Sequence, residues 1–287
     1  MGRQSLNEIL LSLECPDRPG IVHAVAGFLL HHGCNIVDSQ QFGDSRTGRF
    51  FLRIRAESVQ PVDLPSLEVS FAGLADKFGM LWRLEDVRLR TRVLIMVSTA
   101  DHCLNELFDL WRNDLAPIEI VGVVSNHDVL RGVVEREGVT FHHVPVRTEN
   151  KPITDRALLS LVEETGTDLV VLARYMQILG NEVCERLRNR VINIHHSFLP
   201  GFKGARPYHQ AYERGVKAIG ATAHYVTADL DEGPIIQQSV VSVDHRAAPE
   251  DLVVAGRRAE RMALAQAVTW HAERRVFVDG LRTIVFD

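Results

Sequence analysis

Cysteine, long apolar runs and clusters of basic residues are all scarce in this chain of 287 residues. The four cysteines stand far apart and without C-x-x-C spacing, at Cys15, Cys34, Cys103 and Cys184. We therefore expect free thiols in the core rather than a disulfide framework or a thiolate zinc site. No stretch approaches the roughly 20 consecutive apolar residues of a membrane helix, and the N-terminal segment lacks a signal-peptide pattern. We expect a cytoplasmic protein that does not enter the membrane.

The net charge is -5, the isoelectric point is about 6.2, and no long basic segment occurs. A dedicated nucleic-acid-binding protein needs a concentrated positive surface, so this class of protein is not favoured. Hydrophobic residues make up 46% of the chain. That share and the chain length are ordinary for about two globular domains, each with a core of its own. A small molecule is the expected partner.

The first 88 residues alternate strand and helix patterns in the order β-α-β-β-α-β. A strand pattern at NEILLSLE is followed by the turn DRPG and by the helix IVHAVAGFLLHHG, whose apolar residues recur on one face. Two further strand patterns, a second helix and a final strand complete the order. This arrangement predicts a compact, ferredoxin-like domain over residues 1–88.

Residues 89–287 predict a second domain of the α/β class. TRVLIMVST at 91–99 is a near-continuous apolar run, which is typical of a parallel strand buried on both faces. Helices and apolar strands then alternate as far as VINIHH at 191–196. This alternation predicts a doubly wound, mostly parallel sheet, and such sheets bind ligands beyond the carboxyl ends of their strands.

The strand VINIHH delivers two polar side chains to that edge of the sheet. Residues two apart in a strand point to the same face, so Asn193 and His195 are expected together, while His196 is expected to face away as a structural histidine. An amide can stabilise an oxyanion without titrating, and an imidazole can exchange a proton near neutral pH. The pair indicates acyl or formyl chemistry, and the alternative is a structural role at the strand end.

A carboxylate would complete such a site, and the segment VTADLDEGPI offers three. Asp229, Asp231 and Glu232 are equal candidates on spacing alone. The pairs His142–His143 and His195–His196, together with Asp231, do not indicate a metal site, because neighbouring strand residues point to opposite faces and no H-E-x-x-H spacing occurs. We expect no metal in this protein.

Two segments, NIHHSFLPGFKGARPYHQAYERG at 193–215 and GATAHYVTADLDEGPIIQQ at 220–238, resemble the formyltransferase family that uses 10-formyltetrahydrofolate. The likeness extends over about residues 91–287, and the domain organisation is closer to that of the deformylases, the hydrolases of this family. It implies that an Asn, a His two residues later and an Asp in an L-D-x-G-P segment are catalytic. In this sequence these residues are Asn193, His195 and Asp231.

The segment LARYMQILG at 172–180 resembles the folate-binding segment of the same family. The likeness places four residues along the pterin pocket, namely Met176, Gln177, Ile178 and Leu179. Many relatives have a basic residue where Gln177 stands, so a salt bridge is not expected there. Lys203 and Arg206 are candidates either for contact with an anionic tail of the substrate or for ordinary solvated charge.

A departure from the transformylases indicates the acceptor of the formyl group. Transformylases that act on glycinamide ribonucleotide hold its phosphate in a glycine-rich loop after the first strand. The corresponding segment here is VSTADHCLNEL at 97–107, which lacks glycine and introduces the negative charge of Asp101. Water is then the expected acceptor, and formate and tetrahydrofolate are the expected products.

The segment CPDRPGIVHAVAGFLLHHGCNIVD at 15–38 resembles an ACT domain, a regulatory module that commonly pairs with a copy of itself and binds amino acids at the interface. The likeness implies a homo-oligomer. It also implies either an amino-acid effector site or a purely architectural role, since fold does not dictate function. The effector-type positions are Asp17, Arg18, Gly20, Ile21 and Asn35.

Together these resemblances predict a hydrolase that acts on 10-formyltetrahydrofolate and supplies formate for one-carbon and purine metabolism. The folate is the substrate, and no cofactor is expected. Two alternatives stay open. One is a formyltransferase with a non-phosphorylated acceptor, and the other is a catalytically silent amino-acid sensor built on the ACT domain.

Overall fold

The structure, a computed structural model, describes residues 6–147, 151–199 and 207–287. It divides the chain into two units, of which the second contains residues 90–285. The first unit ends at Leu89, one residue beyond the predicted boundary, and it also contains the last two residues of the chain. Gln40 of this unit donates a hydrogen bond from Nε2 to the carbonyl oxygen of Asp287 at 2.8 Å.

The first unit is a four-stranded antiparallel sheet with two helices packed against it. Its elements are β1 (Leu6–Pro16), α1 (Ile21–His31), β2 (Cys34–Asp44), β3 (Arg49–Val62), α2 (Leu64–Phe78) and β4 (Leu81–Asp86). The strands lie in the order β2-β3-β1-β4, and each pairing is antiparallel. The predicted β-α-β-β-α-β domain is therefore confirmed.

One apolar core forms between these helices and the sheet. Val25 and Leu29 of α1 and Phe71 of α2 are completely buried, and they share a cluster with Leu11 of β1. α1 begins directly after Gly20, whose φ of +94° lies in the left-handed region that glycine adopts without steric cost. The turn at Gly20 thus allows the buried stripe of α1 to pack on the sheet.

The second unit is a seven-stranded, mostly parallel sheet with helices and a C-terminal hairpin. Its elements are β5 (Thr91–Val97), α3 (His102–Arg112), β6 (Ile118–Ser125), α4 (Arg131–Arg136), β7 (Phe141–His143), α5 (Lys151–Glu164), β8 (Leu169–Leu172), α6 (Asn181–Arg186), β9 (Val191–His195), α7 (Pro207–Glu213), β10 (Ala218–Tyr225), β11 (Ile235–Ser242), α8 (Pro249–Ala272), β12 (Val276–Asp279) and β13 (Arg282–Val285). The order is β11-β10-β9-β8-β5-β6-β7. Strands β5 to β9 run parallel, whereas β10 runs antiparallel to both of its neighbours, β9 and β11.

Successive residues of β5 enter two different cores, as a doubly wound sheet requires. Val93 and Ile95 pack in a cluster with residues of α3 and α8. Leu94 and Met96 pack in a separate cluster with residues of α5 and α6. The unbroken apolar run of this strand therefore reflects burial on both faces, and the predicted fold class is confirmed. The sequence patterns do not predict α6 and α7, which are too short to show helical periodicity.

All four cysteines are buried and free, which confirms the prediction of core thiols without a disulfide. Burial raises the pKa of the Cys103 thiol far above its usual range, and the nearby Glu260 carboxylate acts in the same direction. This thiol is therefore protonated at neutral pH. Among the described helices, none is long and apolar enough to cross a membrane.

Candidate active site

β9 and the last residues of β10, which pair antiparallel along their length, bring three polar side chains together. β9 ends at His195, and Asn193 lies two residues earlier on the same strand. β10 runs antiparallel to β9 and places His224 directly opposite Asn193. All three side chains line one cavity, as strand alternation predicts for Asn193 and His195.

Asp231, in the loop between β10 and β11, links the two histidines. Its Oδ2 lies 3.3 Å from His195 Nδ1, and its Oδ1 lies 3.7 Å from His224 Nε2. The interaction with His195, followed by that with the nearby His224, holds the pKa of this carboxyl well below its usual range, although burial opposes the shift. Asp231 is therefore ionised at physiological pH and acts only as a hydrogen-bond acceptor.

The structure separates Asp231 from Asp229 and Glu232, which are equivalent on sequence spacing. Asp229 and Glu232 are exposed, whereas the Asp231 side chain is 19% exposed and lies beside His195. The turn that places it depends on Gly233, where an added Cβ would lie 1.7 Å from a backbone carbonyl oxygen of β10. Asp231 itself has a φ of +57°, a left-handed conformation that is uncommon outside glycine and concentrated at functional sites.

His224 belongs to the site, although the sequence reasoning does not single it out. Its Nδ1 donates a hydrogen bond to the carbonyl oxygen of Tyr225 at 2.9 Å. In the neutral tautomer this leaves Nε2 as an acceptor, 3.2 Å from Asn193 Nδ2. The Asn193 amide is thereby oriented, and it carries a second hydrogen for another acceptor. The signal available in the sequence is a histidine within the otherwise apolar strand AIGATAHYV.

A cavity with a volume of about 310 Å³ opens beside these side chains. Its lining includes the predicted catalytic and folate-binding residues together with further polar groups: Asn193, His195, Asp231, His224, Arg174, His196, Met176, Gln177, Ile178 and Leu179. Within the part of the chain that the structure describes, the buried His195 Nε2 has no hydrogen-bond partner. Because buried polar atoms are normally satisfied, this nitrogen is the natural contact for a substrate or a water.

The segment after β8 forms one wall of the cavity and contains all four predicted folate-binding residues. Met176 and Ile178 are 60% and 61% exposed, whereas Leu179 is buried in the core cluster formed with α5 and α6. The Met176 N–H donates to Ser98 Oγ at 3.0 Å, and Lys151 Nζ donates to the Ile178 carbonyl oxygen. This anchored wall presents apolar side chains to the cavity, which is the surface that an aromatic ring system requires.

The prediction that His196 faces away from His195 is wrong. The two ring centroids lie 4.9 Å apart with the planes inclined at 35°, and both rings line the cavity. β9 ends at His195, so strand alternation does not extend to the next residue. Burial, followed by the positive charge of Arg174, lowers the pKa of His196 to about 4. Its ring is therefore uncharged at neutral pH.

Two further predictions concern charges around the substrate. Lys203 and Arg206 lie outside the described residues. Asp101 is exposed at the N-terminal end of α3, directly after the loop that follows β5. An acidic residue is favourable at a helix N-terminus, and a phosphate at this place would meet its negative charge.

Three side chains of the second unit could together hold a metal ion, because ligand atoms of His102, Cys103 and Glu260 lie within 4.8 Å of one another. His102 Nε2 lies 2.7 Å from the Glu260 carboxylate, and Arg174 Nε lies 3.4 Å from the same oxygen. The carboxylate is thus already paired, and the thiol is protonated. The contacts of Glu260 with Arg174 and His102 are those of a structural charge cluster. The expectation of no metal stays a prediction.

The effector-type residues of the first unit are not gathered at one place. Asp17, Arg18 and Gly20 lie in the loop between β1 and α1, and Ile21 begins α1. Asn35 lies at the start of β2, beyond the opposite end of this helix. The 11 residues of α1 separate the two groups by ~16 Å at 1.5 Å per residue. Within one chain, the structure does not bring Asn35 to the other four residues.

Comparisons with known proteins identify a family for each unit. The formyl transferase family model matches residues 91–268, and the ACT domain model matches residues 9–68. The chain is 54% identical to the formyltetrahydrofolate deformylase of Corynebacterium sp. (strain P-1), over 96% of this chain and 97% of that protein. It is 48% identical to the formyltetrahydrofolate deformylase of Bacillus subtilis (strain 168), over 100% of this chain and 95% of that protein.

Solved structures give a matching result. The formyltetrahydrofolate deformylase of Burkholderia mallei ATCC 23344 is 47% identical, covers 98% of this chain and 100% of its own, and superposes with a TM-score of 0.94. Glycinamide ribonucleotide transformylase 1 of Symbiobacterium toebii is 33% identical, covers 69% of this chain and 95% of its own, and superposes with a TM-score of 0.64. The deformylase thus matches nearly the whole chain, whereas the transformylase matches about two thirds of it.

Proposed function

The chain belongs to the formyltetrahydrofolate deformylase family, and on that premise we propose that it hydrolyses 10-formyltetrahydrofolate to tetrahydrofolate and formate. The observation that carries this proposal is the assembly of Asn193, His195 and Asp231 around one cavity whose wall is the folate-type segment at residues 176–179. The reaction adds water across a carbon–nitrogen bond and needs no cofactor. We place it in the cytoplasm, where the formate supplies one-carbon and purine metabolism.

Attack of water begins at the pair formed by Asp231 and His195. The ionised carboxylate of Asp231 accepts a hydrogen bond from His195 Nδ1, which fixes the ring and leaves Nε2 for the reacting groups. Asp231 and His195 help to remove a proton from the water as its oxygen bonds to the formyl carbon. The carboxylate also stabilises the positive charge that His195 acquires when it takes that proton.

The tetrahedral intermediate carries a negative charge on the former formyl oxygen. Asn193 Nδ2 directs one hydrogen toward His224 and has a second one for this oxyanion. Protonated His195 supplies the other donor from Nε2. Both donors are held in place before the reaction, so no reorganisation is needed as the charge develops. Such preorganised donors are the main source of oxyanion stabilisation.

Collapse of the intermediate breaks the bond between the formyl carbon and N10. The electron pair of that bond goes to N10, and His195 returns its proton to this nitrogen. Tetrahydrofolate is then the leaving group, and the formic acid loses a proton to give formate. All four folate-type positions line the cavity, so we assign Met176, Gln177, Ile178 and Leu179 to the pterin side of the substrate.

Incubation of the protein with 10-formyltetrahydrofolate alone tests this proposal. Formate and tetrahydrofolate should appear in equal amounts without any added amine. Release of formate only after an amine is added would support the alternative of formyl transfer to a non-phosphorylated acceptor. No formate under any condition, together with calorimetric binding of an amino acid, would support the silent sensor instead.

We further propose that the ACT unit assembles the protein into a homo-oligomer and takes an amino-acid effector. The separation of Asn35 from Asp17 supports an effector site that is shared between copies, because one chain holds these residues at opposite ends of α1. Light scattering tests the assembly, and a monomer at working concentration would contradict it. Titration of glycine and methionine into the formate-release assay tests the effector. Unchanged rate and unchanged stability would leave a purely architectural role.

A further inference from the structure

Arg174 is a cationic residue of the cavity wall that the proposed reaction does not use. It lies two residues after the end of β8 and has a φ of +64°. A residue other than glycine in the left-handed region is uncommon, and such conformations cluster at ligand-binding and catalytic positions. Its side chain is 19% exposed and lines the same cavity as His195 and Asn193. The backbone conformation therefore places a guanidinium on the catalytic cavity at some energetic cost.

A buried carboxylate holds this guanidinium in place. Glu260 of α8 is 1% exposed, and its Oε2 lies 3.4 Å from Arg174 Nε and 2.7 Å from His102 Nε2. An ionised carboxylate at this depth is stable only when it is paired. Its neighbour Ala259 and the next turn's Ala263 are completely buried, which anchors this part of α8 in the core. Arg174 is thus a fixed cation, unlike a mobile arginine on the surface.

The donors of Arg174 are not used up by these contacts. Nε is the guanidinium nitrogen that faces Glu260, yet within the described ranges it is buried without a hydrogen-bond partner. A guanidinium carries five N–H donors in a planar fork, and this fork matches the geometry of a carboxylate. The neighbouring His196 does not duplicate the charge, since its pKa of about 4 keeps the ring neutral. Among the described residues that line the cavity, the permanent positive charge is therefore that of Arg174.

Hydrolysis creates a ligand for such a cation, whereas formyl transfer to an amine does not. When water is the acceptor, its oxygen joins the formyl carbon, the carbon–nitrogen bond breaks, and the acid product loses a proton to become formate. This small anion forms beside Asp231, which is itself ionised and repels it. A fixed cation on the same cavity offsets that repulsion and offers the product a bidentate contact.

We propose that Arg174, held by the buried pair of Glu260 and His102, forms a subsite for the formate product, in which its guanidinium binds the one-carbon carboxylate. The inference rests on the proposed function for the source of the formate. Binding of formate to the resting protein does not require turnover, so the two proposals are tested separately.

Titration of ¹³C-labelled formate into the wild-type protein, followed by the line width of its NMR signal, tests the subsite. Saturable broadening is expected. Arg174→Gln keeps a polar side chain without the charge, and it should weaken formate affinity by about tenfold or more, the usual effect of losing a hydrogen bond to a charged group. Arg174→Lys keeps the charge without the planar fork, and its formate affinity should lie between those of the wild type and Arg174→Gln. Arg112→Gln, at an exposed position of α3, is the matched control and should bind formate as the wild type does.

A kinetic measurement on the same proteins provides a second readout. Formate should inhibit hydrolysis by the wild type, and the inhibition constant should rise by the same factor in Arg174→Gln as the affinity falls. Equal formate affinity in wild type and Arg174→Gln, or no saturable binding by the wild type, would overturn the subsite. If the wild type binds formate through Arg174 but releases none from 10-formyltetrahydrofolate, the hydrolase proposal fails and the subsite stands. Circular dichroism of each variant verifies that it is folded.

Discussion

The second unit gathers its predicted catalytic residues at one cavity, whereas the first unit distributes its effector-type residues over both ends of a helix. In the second unit Asn193 and His195 share one face of β9, and the loop after the antiparallel β10 folds back to bring Asp231 to within 3.3 Å of His195. In the first unit Gly20 precedes α1 and Asn35 follows it. Residues two apart in a strand share a face and a loop can fold back beside them, while a helix between two parallel strands carries the chain to the far side of the unit. One chain can therefore build the catalytic cavity, and an effector site that uses both ends of α1 needs a second copy.

The largest expected effect is the loss of the oxyanion donor in the catalytic cavity. Asn193→Ala should lower kcat by ~10²–10³, because one preorganised donor to the tetrahedral intermediate is removed. Asn105→Ala, at an exposed position of α3, is the matched control and should turn over as the wild type does. The measurement is formate release at saturating 10-formyltetrahydrofolate. Near wild-type turnover by Asn193→Ala would remove this residue from the catalytic set.

A pair of glycine substitutions compares how closely the backbone is packed at the catalytic loop of the second unit and at the effector-type loop of the first. Gly233→Ala places a Cβ 1.7 Å from the Tyr225 carbonyl oxygen, so the loop that carries Asp231 must move. We expect a loss of roughly 3 kcal/mol of stability and of most activity. Gly20→Ala has no atom within 4 Å of the added Cβ and incurs only the left-handed backbone cost, about 1 kcal/mol. Thermal unfolding of both variants checks the order, and equal losses would contradict it.

The acid sensitivity of the second unit should depend on His196. Its pKa in the folded protein is lowered from 6.5 to about 4, so the folded state binds fewer protons than the unfolded state between these values. Above pH 6.5 this histidine does not lower the free energy of unfolding. As the pH drops from 6.5 to 4, the free energy of unfolding should fall by on the order of 2 kcal/mol. His196→Asn should show a shallower decline in thermal unfolding measured from pH 7 to pH 4. Parallel pH profiles for the two proteins would exclude this role.

The smallest effect is expected in the first unit, where the substitutions should change only the response to an amino acid. Asp17→Asn and Asn35→Ala should each keep the basal rate within about twofold, because both positions belong to the ACT unit and not to the catalytic cavity. Each should abolish the change in rate that the effector causes in the wild type. Co-assembly of the two variants should restore part of the response, since a shared site can then combine one intact half from each copy. No restoration would indicate that both residues act within one chain.

Much of the fold could be predicted because it depends on local patterns. Strand TRVLIMVST shows burial on both faces as an unbroken apolar run, and α1 shows its buried stripe at helical spacing. The orientation of His196 could not be predicted in this way. Alternation applies only within a strand, and β9 ends one residue before it. Short helices such as α6 also leave too little periodicity to be recognised.

The sequence by itself determined two α/β units, the pairing of Asn193 with His195 on one face, and the resemblance to the formyltransferase family, because strand periodicity and motif order are properties of the chain. Strand spacing left three carboxylates open, and the tertiary structure placed Asp231 beside His195, brought His224 to the same cavity, and set Arg174 against Glu260. These placements depend on contacts between distant positions, such as the 31 residues that separate Asn193 from His224 and the 158 that separate His102 from Glu260. Such contacts exist only after the sheet and α8 have packed, since spacing along the chain says nothing about which ends will meet.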